Sequence, residues 1–104
     1  MRPEVLKGNV DALLLAAVGD GEAHGYGIVE TVRARSEGAF RLAEGTVYPA
    51  LYRLERQELL ESRWDEVGGR RRRLYRLTPR GRRALAERRD EWSAFSRAME
   101  AVLA

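Results

Sequence analysis

Cysteine is absent from the 104-residue sequence, and histidine occurs once, as His24. The first absence excludes a disulfide framework and a thiolate metal site. The second leaves little for acid–base or nucleophilic catalysis. His24 stands at a helix start with no serine and no cluster of carboxylates around it, which suits local packing or capping. Asp65 with Glu66 and Asp90 with Glu91 are sequence neighbours that point different ways on a strand or helix, so neither pair makes a metal site. No cofactor or metal is expected, and the chain does not read as an enzyme. Long apolar runs are missing as well. The longest, residues 12–18, falls well short of the roughly 20 residues that cross a bilayer, and no stretch has the pattern of a secretory leader. The expectation is a cytoplasmic protein with no membrane partner.

Lysine is nearly absent too. Eighteen of the nineteen basic residues are arginine, the side chain suited to bidentate phosphate and guanine recognition, although a skewed genomic base composition produces the same excess. The net charge is +3, yet residues 68–83 hold eight arginines and no acid, so the remainder of the chain sums to −5. One basic block on an otherwise acidic chain marks a site for a polyanion. The hydrophobic content of 44% is that of a globular protein. The length fits one small domain, of a size that often gains stability by oligomerising.

Spacing of the apolar residues predicts a mainly α fold with a small β-hairpin. Pro3-Glu4 suits a first helical turn, and from Leu6 the positions 6, 10, 13, 14, 17 and 18 form one stripe. Val5, Ala12, Leu15 and Ala16 add apolar surface outside it, so this helix needs two partners. Gly19-Asp20-Gly21 ends it. His24-Gly25-Tyr26-Gly27 opens a second helix, which runs to about Glu37 with Ile28, Val29 and Val32 inward and Gly38 as its break.

In a third helix Val47, Ala50, Leu51 and Leu54 share one side, at i, i+3, i+4 and i+7. Gly45, Pro49, Tyr52, Arg53 and Arg56 lie on the other, flanked by Thr46 and Tyr48. Pro49 argues that the helix begins shortly before it, with Thr46 in the first turn, because a proline deep inside removes a backbone hydrogen bond. Alternation then sets Leu60, Ser62 and Trp64 against Glu61 and Arg63, and puts Tyr75 and Leu77 on one face of a second run. Val67-Gly68-Gly69-Arg70 between the runs is a hairpin signal. Thr78-Pro79 starts a last helix, as N-cap and N1, which continues to about Leu103. Leu85, Trp92 and Met99 recur every seven residues, Phe95 and Val102 fill the intermediate positions, and Arg88 is the one polar exception. This is a coiled-coil-like seam. Little chain remains to cover it, so it is expected to meet the same helix, and the first helix, of a second copy.

Helix, turn, helix and hairpin make a winged helix-turn-helix, here residues 1–78, with residues 79–104 as a dimerisation helix in the same compact unit. On the third helix, Arg53 and Arg56 suit guanine edges or phosphates. Thr46, Tyr48 and Tyr52 can donate to phosphate, and Pro49 can meet a thymine methyl. The plainer reading is that the tyrosines cover a neighbouring hydrophobic patch. Arg70, Arg71, Arg72 and Arg73 read as a wing lying along a phosphate backbone, or more plainly as a solvated hairpin tip. Arg80, Arg82 and Arg83 crowd the positive end of the last helix, which is unfavourable unless an anion sits there. Without one they meet solvent or Glu87. Trp92 reads as dimer core, or as a stacking surface for a flat aromatic ligand between subunits.

The blocks Gly19-Asp20-Gly21-Glu22-Ala23-His24-Gly25-Tyr26-Gly27-Ile28, Glu44-Gly45-Thr46-Val47-Tyr48-Pro49-Ala50-Leu51, Leu54-Glu55, Leu59-Leu60, Gly68-Gly69-Arg70, Tyr75-Arg76-Leu77-Thr78 and Gly81 resemble, in order and spacing, the PadR-like transcriptional regulators. The resemblance spans roughly residues 6–85. It implies a dimeric winged-helix repressor of the short subfamily with a single terminal helix. It further implies a third helix, with Thr46, Tyr48, Pro49 and Arg53, in the major groove, and a wing around residues 69–72 on backbone or minor groove. Some short members bind planar aromatic compounds between subunits, with a tryptophan near the place of Trp92.

The expected partners are double-stranded DNA, a second copy of the chain and a small aromatic effector. The DNA contacts are assigned to Thr46, Tyr48, Pro49, Tyr52, Arg53, Arg56, Arg70, Arg71, Arg72, Arg73 and Arg80. The subunit interface is assigned to Leu6, Leu14, Leu85, Trp92, Phe95, Met99 and Val102, with Trp92 also the ligand contact. The rival reading is a dimeric adaptor that uses its arginines on an acidic protein or an anionic surface.

Overall fold

The computed structural model describes residues 6–19 and 21–104, with Val67 by its backbone alone. The elements are α1 (Val10–Val18), β1 (Ala23–His24), α2 (Gly25–Arg35), α3 (Glu44–Arg56), β2 (Leu60–Val67), β3 (Arg70–Leu77) and α4 (Pro79–Leu103). The expected start at Pro3-Glu4 lies outside the described residues. Leu6 does not lead straight into α1. Gly8 takes a left-handed φ of +89°, which a continuous helix cannot contain, so the chain turns there and restarts at Val10. Leu6 and Val10 still pack on the core.

α1 is the central element. Leu14, Leu15, Ala17 and Val18 are all buried. Leu15, expected outside the inward stripe, is therefore core, because α2, α3, α4 and β3 all pack on this short helix. α2 stops two residues sooner than expected. Glu37 and Gly38 both adopt positive φ, and the Gly38 N–H closes back on the Arg33 carbonyl at 2.8 Å, a left-handed C-terminal stop. α3 begins at Glu44, with Thr46 in its first turn as expected and Pro49 in its second. The ring is exposed there, and the Gly45 carbonyl four residues back goes without its intrahelical hydrogen bond. The inward side is as the spacing requires: Val47, Ala50, Leu51 and Leu54 are buried.

The hairpin turns on Gly68 and Gly69, both at positive φ (59° and 78°), the geometry of a two-residue turn that matches strand twist. It pairs Val67 with Arg70, Trp64 with Arg73 and Leu60 with Leu77. The sheet has a third strand that the sequence did not reveal. Ala23 and His24 pair antiparallel with Tyr75 and Leu74, giving the order β1-β3-β2.

Two glycines fix how these elements meet. A Cβ on Gly81 would stand 1.9 Å from the Leu59 carbonyl oxygen, so α4 rests its first turn directly on backbone. Thr78 completes that joint. Its Oγ1 accepts from the Gly81 N–H at 2.9 Å and donates to the Glu58 carbonyl at 2.6 Å, an N-cap tied to the preceding loop. A Cβ on Gly25 would lie 2.5 Å from the Tyr48 ring, so the start of α2 seats that tyrosine.

Leu14 and Leu85, assigned from the sequence to a subunit interface, are 0% and 5% exposed inside the chain's own core. Side chains covered within one chain have no surface to offer a second, and both leave the interface set. The rest of α4 is different. Trp92, Phe95, Met99, Val102 and Leu103 are all exposed, on a helix that draws the molecule out to 54 × 28 × 20 Å. No helix among the described residues is long and apolar enough to cross a membrane.

Candidate nucleic-acid interface

The outward side of α3 carries Thr46, Tyr48, Pro49, Tyr52, Arg53 and Arg56, all exposed. Their states differ. Arg56 lies over the Tyr52 ring, 5.8 Å from its centroid, so the ring holds a cation on the open face of the helix. Tyr48 is half-exposed, with its ring against the Gly25 backbone. It covers a neighbour and presents its edge to solvent at once.

Arg53 does not stand free. Its fork meets the Asp11 carboxylate of α1 with two hydrogen bonds, at 2.8 and 2.7 Å. Those bonds hold the Asp11 carboxyl below its ordinary value against the opposing effect of burial, and hold the Arg53 guanidinium above its own. A bidentate pair of this kind adds geometric restraint as well as energy. The sequence placed Arg53 among the groove-facing side chains. The structure uses it as a brace between α3 and α1, and its planar fork is occupied.

The four arginines that begin β3 divide by strand alternation. Arg71 and Arg73 share a face with Ser62 and Trp64, while Arg70 and Arg72 lie on the other face with Arg63 and Asp65. They are strand residues and do not form a tip: only Arg70 borders the turn. Arg73 is neutralised locally. Its Nε donates to Ser62 Oγ at 2.9 Å, Ser62 Oγ donates to Glu55 Oε2 of α3 at 2.8 Å, and the Glu55 carboxylate stands 3.7 Å from the guanidinium. Arg70, Arg71 and Arg72 make no ion pair among the described residues, although Glu66 and Asp65 lie across the hairpin from Arg71 and Arg72, so the arginines of the wing without a close partner are these three. On the outer face Arg63 bonds Glu22 at 3.0 and 3.3 Å, and Arg76 bonds Glu61. These pairs lock the base of the sheet and leave its free end cationic.

Arg80 sits at the start of α4. It lies 3.9 Å from Glu58, on a groove shared with Arg83 and rimmed by Glu55, Glu58 and Glu61. An anion at the start of α4 would meet three carboxylates. Burial raises the Tyr75 hydroxyl above its ordinary value, with Glu55 adding to the effect, so Tyr75 stays neutral in the core. His24 forms no side-chain cap on α2; its Nε2 stands 3.9 Å from Asp65. Among the described residues no cluster of three potential metal ligands occurs.

Sequence reasoning missed four participants. Asp11, Glu55 and Trp64 act through partners far away in the chain, and Gly25 acts by having no side chain. Trp64 was within reach, because a two-residue turn at Gly68-Gly69 fixes the pairing of Trp64 with Arg73.

On the seam side, Trp92 and Phe95 stack with ring centroids 5.9 Å apart and stand more than half exposed. Leu6 is half-buried against the core.

A family model described as the PadR-like family of transcriptional regulators matches residues 14–87. The transcriptional regulator Rv3488 of Mycobacterium tuberculosis is 43% identical over 84 residues, which cover 81% of this chain and 76% of that protein. A transcriptional regulator from Clostridium thermocellum superposes with a TM-score of 0.86 at 28% identity, over 96% of this chain and 95% of that one. A PadR family regulator from Clostridium difficile gives 0.81 at 31% identity, over 93% and 100%. Bacillus subtilis PadR, solved in complex with operator DNA, shares the fold with a TM-score of 0.71 at 21% identity, over 78% of this chain and 45% of that one.

Proposed function

The chain belongs to the PadR-like family of transcriptional regulators, and we propose that it is a repressor that binds a pseudo-palindromic operator as a homodimer. The observation that carries the reading is the pairing of α3's outward face with a wing whose Arg70, Arg71 and Arg72 make no ion pair. A helix that turns Thr46, Tyr48, Pro49, Tyr52 and Arg56 outward suits base edges and nearby phosphates. Unmatched arginines on an adjoining hairpin suit the backbone on either side. The operator complex of the Bacillus subtilis relative is the precedent on the same fold. Arg53, braced on Asp11, sets the pitch of α3 in this picture and does not itself read a base.

The dimer rests on α4. Trp92, Phe95, Met99 and Val102 form an apolar line that one chain leaves in water, and an exposed apolar stripe of this length marks an interface. Two copies of α3 then meet successive major grooves about 34 Å apart. The stacked Trp92 and Phe95 give that interface an aromatic wall, against which a flat aromatic effector fits and releases the operator.

Selection of bound duplexes from a random pool, at physiological salt and with and without planar aromatic compounds, tests all three parts. The expected product is a palindromic consensus that is lost when an effector is added. Enrichment of no sequence, with retention of acidic proteins or anionic vesicles in its place, refutes the regulator reading in favour of an adaptor.

A further inference from the structure

Trp64 has no place in the DNA-contact or subunit-interface sets expected from the sequence, and it is the largest side chain on the exposed part of the hairpin. It is 54% exposed, so it adds little to the core. What it touches is cationic. The guanidinium carbons of Arg71 and Arg73 stand 4.7 and 4.9 Å from its ring centroid. The two arginines are two apart on one face of β3, where like charges repel. The negative face of an indole offsets that repulsion and restricts both side chains to the ring.

We propose that Trp64 is a positioning residue for the wing, holding Arg71 ready for a DNA phosphate and linking it to the reading helix. The link is continuous. Arg71 meets Trp64, Trp64 meets Arg73, and Arg73 meets Ser62 and Glu55, which belongs to α3. Arg73 is spent inside this chain, because Glu55 already matches its charge. Arg71 has the ring and makes no ion pair with Glu66, its cross-strand neighbour, so on this face its charge is the one left to offer. The arrangement places a backbone-binding cation at a set distance from the side chains of α3 that face the bases. Without the indole, Arg71 would sample the many rotamers of an exposed strand arginine, and a phosphate would have to order it on binding. The role rests on the DNA-binding reading above.

The test uses the full chain and a labelled duplex selected as above, alongside a random duplex, with affinity measured by fluorescence anisotropy across a range of salt. Trp64→Leu is expected to weaken both duplexes alike, by about three- to ten-fold, at an almost unchanged slope of log K against log salt, because Arg71 still pairs with its phosphate once ordered. Arg71→Ala should weaken both duplexes at least as much and lower that slope by about 0.9, and the double variant should be no weaker than Arg71→Ala alone. Trp64→Phe, which keeps an aromatic face, should retain most of the affinity. Losses that multiply in the double variant, or a Trp64→Leu loss confined to the selected duplex, overturn the proposal, since a tryptophan acting other than through Arg71 would give those results. If Trp64→Leu does not fold, Trp64 emission in a Trp92→Phe background decides the matter. It must change on Arg71→Ala, and constancy refutes the contact. Failure of the unaltered chain to bind any duplex refutes the regulator reading and this role together. Binding by the unaltered chain, with Trp64→Leu equal to it, refutes this role alone.

Discussion

Alanine at position 81 puts the packing of α4 to a direct test. A carbon and a carbonyl oxygen in ordinary contact stand about 3.4 Å apart, whereas the added Cβ would lie 1.9 Å from the oxygen of Leu59. Helix and loop must separate by about 1.5 Å to relieve the overlap. That movement pulls on the Thr78 N–H bond to the same carbonyl, at 3.2 Å, and on both bonds of the Thr78 hydroxyl. Overpacking costs about 1–3 kcal/mol and a lost N-cap about 1 kcal/mol, so Gly81→Ala should destabilise by about 2–4 kcal/mol. For a chain of this size that is a fall in Tm of about 10–20 °C. The control is Gly45→Ala in α3, where a Cβ meets nothing within 4 Å and the same substitution should stabilise by about 0.5–1 kcal/mol. Thermal unfolding by far-UV circular dichroism at one fixed protein concentration compares them. A Gly81→Ala protein within 0.5 kcal/mol of the unaltered chain, or shifted in the direction of the control, refutes the reasoning about the joint.

Asp11→Asn should cost up to about 1 kcal/mol at pH 7, the scale of a well-formed but partly exposed pair. Because the folded carboxyl is held below its ordinary value of 3.8, the contribution is complete at neutral pH and is lost as pH falls below 3.8 through the folded value. Urea unfolding of both proteins from pH 7 to acid should show the difference closing; a constant difference rules the pair out as its source. Arg72→Ala, on the wing face opposite Trp64, should weaken specific and random duplexes equally and lower the salt slope by about 0.9; a loss confined to the specific duplex would mark base readout. Phe95→Glu with Val102→Glu should give a monomer by sedimentation with helical content retained, since both side chains are exposed in a single chain; an intact dimer would place the interface elsewhere.

Periodicity carried much of this structure. The inward row of α3, the two faces of the hairpin and the Thr78-Pro79 start of α4 follow from spacing and turn chemistry, which are local. Spacing tells which side a residue occupies and is silent on what meets it there. Leu14 and Leu85 were legible as apolar and inward, but only the packing of four elements around α1 shows that the inside is the chain's own core. Arg53 was legible as an outward cation on the polar side of α3, and Arg73 as one of a run of four on the hairpin. Their partners, Asp11 and Glu55, are remote in sequence and turn both into braces. β1 was hidden for a simpler reason: two residues have no period. Of the candidate site, the outward side of α3 was readable in advance, and the allocation of the wing's charges was not.

The way α4 is seated has a further consequence. A helix of 25 residues is about 37 Å long, and it pivots where Gly81 rests on the Leu59 carbonyl. Tilting such a lever by about 5° moves its far end by about 3 Å, close to the rise of one base pair, about 3.4 Å. In the proposed dimer the far ends are where the two chains join, so the pivot angle becomes the separation of the two reading helices. The missing methyl group at position 81 then acts as a ruler, and operator half-site spacing is the length that it sets.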